Sequence, residues 1–261
     1  NTNPSIMKTT VGLILLALSS SWAYSTTQYS RRTLLQGLIA TAGATISSSA
    51  ATAEENLTDV YFGVGCFWHI QHEFIEAERS ILGRTNKELS ALAGYAGGSK
   101  TGKEGRVCYH NFQGIADYGR LGHGEVVGMK LPEAKISDFA KVYFDLFRNG
   151  ERVDPMDRGG EYRSLIGLPG GMNHPLYPEV EKAGIAKGMK LVAGKGNDPD
   201  TIGKKLVYVY DTSEFPFYQA EVYHQFHDDF QSRPYGRSYN YIVNDLLEDG
   251  RIQGTGCPDR I

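Results

Sequence analysis

Between residues 59 and 81 the hydrophobic repeat changes from about two to about 3.6, and a cysteine sits at the change. Residues 59–64 alternate as a half-buried strand does, Gly65 breaks the run, and from His69 to about Arg79 apolar side chains recur at helical spacing. Tyr61-Phe62-Gly63-Val64-Gly65-Cys66-Phe67-Trp68 therefore reads as strand, turn and helix start, with Cys66 at a helix N-terminus. The unpaired backbone N–H groups and the macrodipole favour an anion there, and the thiolate is the reactive form of cysteine. The expectation is a Cys66 of depressed pKa, with Phe67 and Trp68 as an apolar cup beside it. That describes a nucleophile acting on a small apolar group. The same residues also suit a structural cysteine, because free cysteine behaves as a small hydrophobe. The rest of the chain has to decide between the two.

The first 53 residues hold Lys8, Arg31 and Arg32 and no acidic residue. Met7 is the expected initiator. One lysine, an apolar run over 11–18 and the small residues of Ser21-Trp22-Ala23 follow it, in the outline of a secretory signal peptide. The run is too short to span a bilayer, which needs about 20 residues. Ser30-Arg31-Arg32-Thr33-Leu34-Leu35 adds a twin-arginine pattern, and Ala51-Thr52-Ala53 a second cleavage site. Two export signals in series resemble the leaders of thylakoid-lumen proteins. Residues 1–53 are thus expected to be a cleaved leader for export to a plastid, with another extracytoplasmic compartment as the alternative.

From about Glu54 some 208 residues remain, a length suited to one domain. Losing the leader's three cations takes the formal charge from −3 to −6, which argues against a nucleic-acid surface. No later segment is apolar enough to cross a membrane. Cys66, Cys108 and Cys257 are too few for a disulfide framework. Without a C-x-x-C pair neither a zinc site nor a thioredoxin-type pair is indicated. Strands are expected over 59–64, 89–95, 125–131, 162–168 and 205–210. Helices are expected over 69–81, 132–148, 177–188 and 220–230, with a long glycine-rich loop over 99–122. This irregular alternation favours an α+β domain, a mixed sheet with packed helices, and neither a G-x-G-x-x-G nor a Walker pattern argues for a nucleotide. After about Ser232 polar and turn residues dominate, as in a surface tail.

Five blocks in order resemble the A-class peptide methionine sulfoxide reductases. They are Gly65-Cys66-Phe67-Trp68, Gly94-Tyr95-Ala96-Gly97-Gly98, Gly122-His123-Gly124-Glu125-Val126-Val127, Asp157-Arg158-Gly159-Gly160-Glu161-Tyr162-Arg163-Ser164 and Phe217-Tyr218-Gln219-Ala220-Glu221-Val222-Tyr223-His224-Gln225. The resemblance implies a ferredoxin-like core over 54–231, followed by an irregular tail over 232–261. It implies thiol-dependent reduction of methionine-(S)-sulfoxide, free or in proteins, as a repair of oxidative damage. Cys66 would attack the sulfoxide sulfur and become a sulfenic acid. Glu125 would protonate the oxygen, with its pKa raised by burial. Tyr162 and Tyr109 would bond that oxygen, Asp157 would order the polar network, and Phe67 and Trp68 would hold the S-methyl group. A resolving thiol must follow: Cys257 first, with Cys108 as second candidate or a buried bystander. The reductant would be an external dithiol such as thioredoxin. No bound cofactor, no metal and a monomer are expected.

The chain departs from the family where it places His69 after Cys-Phe-Trp, a position usually held by glycine, and in the loop over 99–121. Glu221, His224 and His227 have helical spacing that tempts a metal reading, but three such residues on one helix are more often a solvated face. Two alternatives stand beside the reductase: a cysteine hydrolase pairing Cys66 with His123 or His224, and a degenerate relative that binds oxidised methionine without turnover.

Overall fold

The computed structural model describes residues 57–152 and 157–258. The leader expected over 1–53 lies outside them. The first strand, β1 (Leu57–Gly63), runs into helix α1 (Phe67–Leu82), which returns to β2 (Leu92–Ala96). Strand β3 (Gly124–Pro132) then inserts between them, antiparallel to both: Tyr61 lies opposite Gly128, and Tyr95 opposite Glu125. Helix α2 (Ile136–Asp145) follows. A two-residue hairpin, β4 (Phe147–Arg148) and β5 (Glu151–Arg152), leads to β6 (Leu165–Leu168), which pairs antiparallel with the free edge of β1. The order β6-β1-β3-β2 with α1 and α2 as crossovers is the ferredoxin-like arrangement. Helix α3 (Tyr177–Ala186) and strands β7 (Lys190–Ala193) and β8 (Leu206–Asp211) extend the sheet in parallel beyond β6, and β9 (Tyr218–Gln219) closes the β2 edge. The sheet is mixed, as the irregular alternation implied.

Strand alternation sends two sets of side chains to opposite faces. Val60, Phe62, Val127, Met129 and Ile166 face the helices, where Ile70, Phe74, Phe139 and Tyr143 complete the larger core. Tyr61, Val126, Leu165 and Tyr210 form the smaller one, against Phe215 and Phe217. Glu125 shares the parity of Val127, so β3 aims a carboxyl group at the helix layer next to the start of α1.

Some elements differ from expectation. The helix expected over 132–148 is α2 alone, preceded by a 3-10 turn (Glu133–Lys135) and followed by the hairpin. The reason is Asn149-Gly150, at φ 54° and 79°, a left-handed pair of the kind that closes two-residue hairpins. No α-helix forms over 220–230. That stretch holds only a 3-10 turn (Val222–His224), because its polar side chains bond other segments: Gln225 accepts from the Ala93 N–H at 3.0 Å and donates to the Ala93 carbonyl at 2.9 Å. β7 and β9 carried no recognisable period. The polar tail contains α4 (Arg237–Asn240) and α5 (Ile242–Glu248), and buries Tyr239, Ile242, Leu246 and Ile252 in the larger core. Among the described residues no helix is long and apolar enough to cross a membrane.

Candidate active site

The junction after β1 depends on Gly65, whose φ of 78° an L side chain rarely adopts. Its N–H donates to the Tyr162 carbonyl at 3.1 Å, and Arg152 Nη1 donates to the same oxygen. The chain leaves that turn with Cys66 as the N-cap of α1. Cys66 makes no side-chain cap bond. Instead Glu125 Oε2, from β3, accepts the N–H of Phe67 at 2.9 Å and satisfies one of the helix's orphan donors. Glu125 Oε1 accepts from the Tyr118 hydroxyl at 3.1 Å.

These residues line a cavity of about 180 Å³ whose walls include Cys66, Phe67, Trp68, Tyr109, Glu125, Asp157 and Tyr162. All seven residues singled out as catalytic or substrate-holding thus meet at one place, although they come from five segments. The Phe67 and Trp68 rings lie 6.3 Å apart, and Phe67 stacks toward Tyr109 at 6.5 Å. Trp68 also stacks on His227 at 4.2 Å and meets the edge of Phe230, which lines the same cavity, at 5.4 Å.

Glu125 is 1% exposed, and burial pushes its carboxyl up to about 8 against the opposing bonds from Phe67 and Tyr118. It carries a proton at neutral pH. Cys66 corrects an expectation. Burial foremost, then the Glu125 carboxylate, raises its thiol well above the usual cysteine range. The N–H groups of Trp68 and His69 do favour the thiolate, as a helix start should, but desolvation outweighs them. Burial and the nearby Glu125 also raise the Tyr109 and Tyr162 hydroxyls, so both remain proton donors.

Cys66 is a free thiol, whereas Cys108 and Cys257 are bonded to each other with their Cα atoms 5.6 Å apart. Neither of the two expected resolving cysteines lines the cavity. The cysteine count did not anticipate this bridge, which joins residues 149 apart in sequence. Cys108, Glu221 and Cys257 place their donor atoms within 4.8 Å of one another. The bridge consumes both sulfurs, and Glu221 is taken by the Tyr95 hydroxyl at 2.8 Å and the Tyr109 N–H at 2.9 Å.

Glu221 and His224 are buried, which corrects the solvated-face reading. They form the layer behind Tyr109, whose ring lies 4.2 Å from that of His224. His123 cannot serve as a base for Cys66: its Nδ1 accepts from Gly98 N–H at 3.2 Å and its Nε2 donates to the Lys100 carbonyl at 2.7 Å. Burial lowers both His123 and His224 to about 4, so they are neutral. Sequence reasoning missed Tyr118, one tyrosine among 16, and the wall formed by Asp229, Phe230 and Gln231. Nothing local marks these residues; only their tertiary neighbours do.

Among curated proteins the chain is similar to the peptide methionine sulfoxide reductase MsrA of Geobacter sulfurreducens, 31% identical over 115 residues, which is 42% of this chain. The match spans 60% of that relative's length. It is also similar to the MsrA of Geobacter metallireducens, 28% identical over 168 residues, covering 63% of this chain and 85% of the relative. Among solved structures it matches methionine sulfoxide reductase A of Corynebacterium diphtheriae, at 15% identity and a TM-score of 0.39 over 79% of this chain and 80% of that one. The reduced form of Mxr1 from Saccharomyces cerevisiae matches at 18% identity and a TM-score of 0.41 over 77% and 90%. No family model matches the chain.

Proposed function

We propose that this chain, which is of the MsrA type, reduces methionine-(S)-sulfoxide, free or within proteins, to methionine with Cys66 as the nucleophile. The observation that carries the reading is the cavity itself. A free thiol shares it with a carboxyl group protonated at neutral pH, two tyrosines that remain protonated, and the Phe67 and Trp68 rings. The rings suit a methyl group, whose burial displaces water. Glu125 gives its proton to the sulfoxide oxygen while the Cys66 sulfur attacks the sulfoxide sulfur, and the thiol proton replenishes Glu125. The attack forms an S–S bond; that bond and the S–O bond then break as the hydroxyl passes to the Cys66 sulfur, so methionine leaves and Cys66 is left as a sulfenic acid, one sulfur having lost two electrons and the other gained them. Tyr109 and Tyr162 steady the oxygen, and Asp157 orders the polar groups around it. The raised Cys66 thiol fits this coupled transfer, in which the attacking sulfur need not be anionic beforehand.

The test is to offer a mixture of the two sulfoxide diastereomers with a dithiol. Chiral chromatography should show the S form consumed and the R form left. Equal loss of both, or of neither, defeats the proposal. The same raised thiol also suits a binder without turnover. Mass spectrometry after one equivalent of sulfoxide separates the two: turnover leaves Cys66 carrying an oxygen atom or a disulfide, whereas a binder leaves it unchanged.

We read Cys257 as the resolving thiol once an external dithiol such as thioredoxin has opened the bridge. It attacks the sulfenic acid and releases water. Cys108 then attacks Cys257, freeing Cys66 and closing the Cys108–Cys257 bridge. A free Cys66 beside that closed bridge is the end state this sequence requires. Cys257→Ser should keep a single turnover per enzyme but lose thioredoxin-supported cycling about tenfold or more. Wild-type cycling in that variant overturns the assignment. We take the protein to act as a monomer without a bound cofactor. On the leader sequence alone, it is exported to a plastid or another extracytoplasmic compartment, which N-terminal sequencing of the native protein checks.

A further inference from the structure

Asp229, Phe230 and Gln231 form one wall of the Cys66 cavity, and Phe230 is 79% exposed, so apolar burial does not hold this segment in place. Asp229 is 6% exposed and organises it. Its Oδ1 accepts the Ser232 N–H at 2.7 Å and the Ser232 hydroxyl. Its Oδ2 accepts the Tyr235 hydroxyl at 2.7 Å and faces His69 Nδ1 at 3.2 Å. His69 lies on the first turn of α1, and its backbone N–H supports the Cys66 thiolate. Three residues further along α1, on the same face, the His72 ring stacks on Tyr235 at 3.7 Å, with the planes 9° apart. The side chain that departs from the family's usual glycine therefore reaches from the nucleophile's own helical turn to the opposite wall.

We propose that His69 is a positioning residue, a latch that ties the 229–231 wall to α1 and sets the width of the Cys66 cavity that takes the sulfoxide side chain. The proposal rests on the reductase reading for its substrate but not for its mechanics. His69 Nδ1 lies 3.2 Å from Asp229 Oδ2 and 3.5 Å from the Tyr235 hydroxyl, so one ring nitrogen faces both polar groups that order the wall. Without it the segment keeps its internal bonds from Ser232 and Tyr235 but loses this anchor to α1. Glycine at position 69 retains the backbone N–H that faces the sulfur, so the change separates the wall from the nucleophile.

The experiment compares wild type, His69→Gly, His69→Gln and Tyr235→Phe by amide hydrogen exchange and by steady-state kinetics on a sulfoxide peptide. In His69→Gly, exchange over 228–235 should rise about tenfold while β1 and β3 keep wild-type protection. KM should rise about fivefold to tenfold, with kcat changing less. His69→Gln keeps an N–H donor and should recover most of both. Tyr235→Phe should loosen the same segment, and the His69→Gly, Tyr235→Phe pair should add less than the sum of the two. Wild-type exchange over 228–235 in His69→Gly, or a loss confined to kcat, overturns the latch. If wild type turns over no sulfoxide, the reductase reading fails, and the exchange measurement still decides the latch.

Discussion

Cys66→Ser brings sulfoxide reduction to background, a fall of about 10⁴-fold or more, while the fold persists. A serine hydroxyl fits the N-cap position of α1 and is a favoured residue there. It cannot take the oxygen, because an alkoxide is a poor nucleophile toward sulfur and no stable oxidised form of serine follows. The pocket remains, since Glu125 is held by Phe67 and Tyr118 rather than by the cysteine. The variant should therefore still bind methionine sulfoxide, and calorimetry should detect it. Unchanged turnover in Cys66→Ser would remove the nucleophile from the proposal and the mechanism with it. Loss of turnover with loss of the folded state, read by circular dichroism, would instead make Cys66 structural.

Glu125→Gln slows oxygen transfer by about 10²–10⁴-fold, the usual scale for removing a general acid. It keeps the shape and an acceptor for the Phe67 N–H, so the loss measures the proton. In wild type the rate should be sustained below pH 8 and fall above it, because the acid works only while protonated and Glu125 sits at about 8. The variant's profile lacks that descending limb, and a stopped-flow measurement of sulfenic acid formation across pH compares the two. Full-rate transfer in Glu125→Gln would reject the assignment. Stability moves the other way. The folded carboxyl holds its proton up to about 8 against an ordinary value of 4.5, so between these the folded state binds the extra proton. Wild-type stability falls as pH rises through that window. Glutamine removes this dependence and should make the protein about 3 kcal/mol more stable than wild type at pH 7, with the gap flattening above pH 8. Melting temperatures of both proteins from pH 4 to 9 check it.

Much of this was legible because it is local. The change of period across Gly65 marked β1, the turn and α1, and short blocks carried Glu125, Asp157 and Tyr162. Where the reading slipped, distant partners had overridden local pattern. Residues 220–230 have helical spacing, yet Gln225 bonds the edge of β2 and Glu221 holds Tyr95 and Tyr109, and those contacts replace a helix. Asn149-Gly150 was a readable hairpin signal, but the apolar period of α2 ran up to it and masked it.

The sequence by itself placed Cys66 at the turn between β1 and α1, marked Glu125 as the candidate acid and gave most of the strands and helices in order. The turn follows from a change of period over a few residues, and the acid from the resemblance of one short block, both of which the chain carries wherever it goes. Only the tertiary structure decided the protonation of Glu125 and Cys66, the pairing of Cys108 with Cys257, and the wall that His69 holds. Those depend on desolvation and on distant groups, 58 residues from Phe67 to Glu125 and 149 between the bridged cysteines, and burial is a property of the packed molecule rather than of any segment in it.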